Sequence, residues 1–64
     1  MRIRLREVRE RKLMTQEELA QRSGLTQTSI SALERGVHAP RISTIRKLAA
    51  ALEVDPDELI VREP

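Results

Sequence analysis

The sequence predicts an all-α domain of five short helices, and three observations carry that prediction. Apolar residues recur at three- and four-residue intervals, as in Ile45, Leu48, Ala49 and Leu52, the spacing of one buried helix face. Two helix-start signatures are present, Thr15-Gln-Glu-Glu18 and Asp55-Pro-Asp-Glu58. The 64 residues include no Cys, Phe, Tyr or Trp, so a single domain over 1–64 must rest on one core of Leu, Ile, Val, Ala and Met. A chain this short buries only about 60% of its unfolded surface and is marginally stable.

Taken in order, Ile3, Leu5, Val8 and then Leu13 or Met14 predict a first helix over 3–12. Arg2, Arg4, Arg6 and Arg11 point outward from it, as a solvated face or as the basic side of a membrane-surface helix. Glu7 and Glu10 interrupt that charge and no aromatic residue is present as an anchor, which weighs against a membrane. Thr15 opens a second helix over 16–23. Its hydroxyl is placed to accept from the N–H of Glu18, whose side chain reaches back to the N–H of Thr15. Gly24 follows, where a left-handed backbone is cheap only for glycine.

Leu25 is expected to plug the core, and Thr26 to cap a third helix over 27–34 that ends at Gly36. Val37 to Arg41 is a loop in which Pro40 restricts Ala39 to extended conformations. Ile42, Ile45, Leu48, Ala49 and Leu52 mark a fourth helix over 43–53, capped by Ser43 or a neighbour. Asp55 as cap, Pro56 at the first position and Glu58 at the third start a fifth helix over 56–60, which inserts Leu59. Ile60 and Val61 either finish the core or offer an apolar patch to a second copy of the chain. The last few residues are expected to fray.

The second and third helices make the central pattern. A small residue (Ala20), a glycine four positions later and the apolar pair Ile30 and Leu33 form a helix-turn-helix. With Gln27 at zero and about 100° per residue, Ile30 and Leu33 fall near roughly 300° and 240° and define the core side. Thr28, Ser31, Ala32 and Arg35 fall near roughly 100°, 40°, 140° and 80°, on the opposite face with Gln27. That face offers amide, hydroxyl and methyl groups of the kind that meet base edges in a major groove. An ordinary solvated face usually carries Lys and Glu pairs; the alternative reading of this one is a merely polar surface.

The net charge is +2, but residues 1–14 sum to +4 while 15–36 and 37–64 each sum to −1. A basic N-terminal part suits a polyanionic partner. Without aromatic rings the usual base-stacking device of single-strand and RNA binders is missing. Cysteine-based zinc sites and disulfides are excluded, and the lone His38 in a loop is a poor metal ligand, so no cofactor is expected. No apolar run approaches the roughly 20 residues of a membrane span, and the N-terminus lacks the apolar region of a signal peptide, so a cytoplasmic chain is expected. One His, no Cys, no Gly-rich phosphate loop and no acid pair in an apolar setting weigh against an enzyme and against a small-molecule site.

Several motifs agree at once: Arg9, TQEELA at 15–20, Gly24, SISALERG at 29–36, Pro40 and KLAAALEVDPDEL at 47–59. Over 3–60 the chain resembles the phage-repressor and Cro-like, or XRE-type, helix-turn-helix domains with the lambda-repressor-like fold. The resemblance implies that helix three enters the major groove while helix two crosses the DNA backbone. It implies a phosphate contact for Gln16, base reading by Gln27 and Thr28 with Ala32 one turn later, and phosphate contacts for Arg35 and Arg41. Thr26 and Ser31 join these as candidate DNA contacts. Taken on their residues alone, Gln16 and Arg41 read equally as exposed polar positions. Arg9 and Glu34 match a partly buried ion pair between helices one and three. Some members of the family carry a dimerisation or ligand domain after this module. This chain stops at Pro64, so any sensing is expected from a partner chain, or there is none.

The expected function is a sequence-specific, double-stranded DNA-binding transcriptional regulator, acting as a homodimer on a palindromic operator. The alternative is a small protein-interaction module or antitoxin-like partner with the same fold. An interaction surface is expected to show an aromatic or large aliphatic anchor, and the face of helix three shows none.

Overall fold

The fold is seen in a computed structural model that describes residues 2–62; Met1, Glu63 and Pro64, and with the last two the expected fraying, lie outside the described residues. The order is β1 (Arg2–Ile3), α1 (Leu5–Arg11), α2 (Gln16–Ser23), α3 (Gln27–Glu34), α4 (Ile42–Leu52), α5 (Pro56–Leu59) and β2 (Ile60–Val61). Five helices are therefore present, joined by one short strand pair.

The most apolar helix lies at the centre. α4 buries Ile45, Leu48, Ala49 and Leu52, and both α2 and α5 pack against it. α2 also packs on α3, and α1 closes over α3 and α5. Leu5 and Val8 of α1, Leu19 and Ala20 of α2, Ile30 and Leu33 of α3 and Leu59 of α5 complete a core that is wholly aliphatic. A buried leucine such as Leu19 is worth about 2–5 kcal/mol when cut to alanine, a large share of a small domain's stability.

The turn inside the helix-turn-helix has a local cause. Thr15 caps α2, with its hydroxyl accepting from Glu18 N at 3.0 Å and the Glu18 carboxylate accepting from Thr15 N at 3.0 Å. Gly24 ends α2 at φ +77° while its N–H donates to Ala20 O at 3.0 Å. Thr26 then starts α3 by accepting from Ser29 N at 3.0 Å. Eight residues, a left-handed glycine and a second eight-residue helix set α3 at the surface with Ile30 and Leu33 turned inward.

Several sequence expectations need correcting. The first helix begins at Leu5 rather than residue 3, because Arg2 and Ile3 are extended and pair antiparallel with Val61 and Ile60. Arg4 N donates to Leu59 O at 2.8 Å and continues that pairing. For the same reason α5 ends at Leu59, with Ile60 extended at ψ 127°. Ile60 packs against the core and Val61 is half-buried in the strand pair. α4 starts one residue early, at Ile42. Arg41 holds the cap position without a side-chain hydrogen bond, and Ser43 lies inside the first turn. Ile42 is 50% exposed, because it sits on the first helical residue at the margin of the apolar stripe. Asp55 holds the cap position of α5, but its carboxylate makes no capping hydrogen bond; its backbone carbonyl accepts from Glu58 N instead. Met14 rather than Leu13 packs on the core, since Leu13 turns to φ +56° and is 90% exposed.

Candidate nucleic-acid interface

Five of the candidate residues line one open concavity of about 300 Å³: Gln16 from the start of α2, and Gln27, Thr28, Ser31 and Arg35 from α3 and its end. Gln27, Thr28 and Arg35 are exposed, and Ser31 and Gln16 are half-buried. Among the described residues no acidic side chain lines it, so the surface combines neutral donors and acceptors with one guanidinium at its edge. The Arg35 Nε donates to Ser31 O at 3.3 Å, which lays the side chain back along its own helix.

Three candidates fall elsewhere. Thr26 does not line the concavity; its hydroxyl accepts from Ser29 N and also donates to Ser29 Oγ at 3.0 Å, which starts the helix. Ala32 is half-buried beside the concavity's residues in sequence but does not line it. Arg41 is exposed and borders a neighbouring cleft together with His38 and Thr44.

Beneath the concavity lies a charged network. Arg9 Nε donates to Glu34 Oε2 at 2.6 Å and a second guanidinium nitrogen donates to Glu34 Oε1 at 3.1 Å, a two-pronged pair between α1 and α3. The Arg9 side chain is 11% exposed and that of Glu34 is 0% exposed. A third Arg9 nitrogen donates to Met14 O at 2.8 Å and ties down the turn before α2. Arg6, otherwise part of the solvated face of α1, approaches Glu34 Oε1 at 3.4 Å. Burial by itself would push the Glu34 carboxyl up, but hydrogen bonds from Arg9 and Gln16, the Arg9 charge and Arg6 together hold it below the usual carboxylate range. The bond to Glu34, offset in part by burial, raises the Arg9 guanidinium further into its charged form.

Reading the sequence missed the connection between these two layers. Gln16 Nε2 donates to Glu34 Oε1 at 3.0 Å, so the residue expected to face DNA is also anchored to the ion pair below. Eighteen residues separate the two, and no local pattern announces their meeting. Among the described residues there is no cluster of acidic, His or Cys side chains fit to hold a metal, and no helix is long and apolar enough to cross a membrane.

Two short helices joined by a tight turn at Gly24, the second showing a polar face outward, make a helix-turn-helix module. The chain belongs to the XRE-type helix-turn-helix family of transcriptional regulators, whose sequence profile, described as Helix-turn-helix, matches residues 5–59. It is 45% identical over 53 residues to y4dJ, an uncharacterized HTH-type transcriptional regulator of Sinorhizobium fredii, covering 83% of this chain and 69% of that protein. A second regulator from that strain, y4dL, is 45% identical over 51 residues; the chain spans 26% of its length. Among solved structures, the restriction-modification controller protein C.AhdI of Aeromonas hydrophila superposes with a TM-score of 0.85 at 44% identity, over 89% of this chain and 86% of that one.

Proposed function

We propose that the protein is a sequence-specific, double-stranded DNA-binding regulator that works as a homodimer on a palindromic operator in the cytoplasm, by binding rather than by catalysis. The observation that carries this is the concavity shared by Gln16, Gln27, Thr28, Ser31 and Arg35, all polar residue types, with no acid among the described residues that line it. α3 is the element that enters the major groove. The exposed Gln27 amide matches the paired N6 and N7 groups of adenine, a contact worth about 1–3 kcal/mol against a wrong base. Gln16, Arg35 and Arg41 meet phosphates and set the register. One module of this size reads few base pairs, so a two-fold dimer with half-sites about one helical turn, roughly 34 Å, apart supplies the rest. The likeness to C.AhdI over most of both chains supports a regulator of similar compact design.

Selection of bound sequences from a random duplex pool tests binding, half-site and spacing together. The expected product is a two-fold symmetric consensus. On single-base variants of that site, Gln27→Ala is expected to relax preference at one position, by about 1–3 kcal/mol. Arg41→Ala is expected to weaken every variant alike and to flatten the salt dependence. Recovery of no sequence at low salt overturns the reading, and equal losses across the panel for both variants overturn the division of roles.

A further inference from the structure

The loop between α3 and α4 places His38, Ala39 and Pro40 along the border of two open clefts, of about 420 and 450 Å³. Arg35 lines the first cleft with His38, and Arg41 lines the second. The exposed His38 therefore lines both clefts, sharing the first with Arg35 and the second with Arg41, to which phosphate contacts are given above. The charged groups bordering these clefts are Arg2 of β1, Glu34 and Arg35 from α3 and its end, and Arg41 before α4. Glu34 is turned inward to Arg9, Gln16 and Arg6, and among the described residues no other acid lines either cleft. Among the described residues, the exposed charged groups that share these clefts with His38 on the α3 and α4 side are thus cationic, Arg35 and Arg41.

We propose that His38 is a further phosphate contact of the duplex-binding surface, sharing its two clefts with Arg35 and Arg41, and that it holds a phosphodiester oxygen as the imidazolium. The inference rests on the DNA-binding reading above. An imidazolium offers a charged N–H donor, and such bonds to anions are roughly twice as strong as neutral ones. Imidazole is the one side chain whose ordinary titration lies between pH 5 and 8. A phosphate beside it favours the protonated form, so binding takes up a proton and tightens as pH falls. His38 is the only histidine in the chain, so the effect has a single side-chain source in that window. Glu34 and Glu18 are both held below the usual carboxylate range and stay charged throughout it.

The test is the affinity of the protein for its selected duplex and for an unrelated duplex, by fluorescence anisotropy from pH 8 to pH 5.5, with His38→Gln and His38→Lys alongside. The wild type is expected to bind both duplexes more tightly at the lower pH, by about tenfold for each unit that the duplex raises the imidazole midpoint. Its slope of log Kd against log salt is expected to steepen by about 0.9 over the same range, one extra phosphate contact. His38→Gln is expected to lose the pH dependence, and His38→Lys to lose it while keeping the tighter binding. An NMR titration of the single imidazole, free and bound, is expected to move its midpoint upward in the complex. An unchanged pH profile in His38→Gln, or a flat wild type that still binds DNA, overturns the inference and leaves the DNA-binding reading standing. A pH effect confined to the selected duplex marks a base contact and overturns the phosphate assignment. Failure to bind any duplex at any pH removes the DNA-binding reading itself and the inference with it.

Discussion

Two ion pairs in this molecule share a closest N···O distance of 2.6 Å and differ in everything around it. Arg9–Glu34 joins α1 to α3 with side chains 11% and 0% exposed, while Arg62–Asp57 lies near the end of the chain with side chains 74% and 72% exposed. In the first pair solvent cannot replace a lost partner, and the carboxylate has donors from three residues. In the second, water competes with each charge and salt screens both. Distance alone therefore says little about worth. Burial and the number of other bonds held by each group decide it.

The comparison breaks most sharply at Glu34. Glu34→Ala leaves the Arg9 guanidinium without its partner and is expected to cost about 3–5 kcal/mol in urea unfolding. Glu34→Gln keeps the shape and separates charge from volume. Acid gives the same information without a change of shape. The Glu34 carboxyl is lower in the folded protein than its ordinary 4.5, so its stabilisation is complete above that value and is lost as pH falls through the folded one. Wild-type protein is expected to lose more stability between pH 7 and pH 3 than Glu34→Gln does, measured by urea midpoints at each pH.

An intermediate case is the Thr15 cap, exposed yet locally well made. Thr15→Ala is expected to cost about 1 kcal/mol and to shorten α2 from its start, read from the thermal midpoint and helical circular dichroism. At the other extreme, Asp57→Ala is expected to change stability by less than about 0.5 kcal/mol, and by nothing measurable in high salt. A larger loss at Asp57 than at Thr15 would upset the ranking by burial.

The same contrast between local and distant causes explains what could be read from the chain. The helix-turn-helix was legible because its signals are close together: the Thr15–Glu18 box, Gly24, the Thr26 cap and the Ile30–Leu33 spacing all act within a few residues. The polar face of α3 followed from angle alone. The strand pair was not legible, since two-residue strands at opposite ends carry no periodicity of their own. Nor was the turn after α1, where Leu13 takes a left-handed backbone that side chains with a Cβ seldom adopt. Gln16 reads in the sequence as a phosphate contact or an exposed amide, and its bond to Glu34 is not legible there because it exists only once α2 and α3 have met. His38 looked idle for the same reason: its neighbours Arg35 and Arg41 flank it in sequence, but the clefts on either side arise from the packed fold.

The pairing of Ile3 with Ile60 also orders events during folding. Most other contacts join helices close in sequence, whereas this ribbon closes a loop of nearly sixty residues. Loop closure grows costlier with length, and two residue pairs return little for it. The helices are therefore expected to assemble first and to carry the two strands to each other. The ribbon is expected to form last and open first, leaving α4 and its neighbours to hold the helix-turn-helix in place.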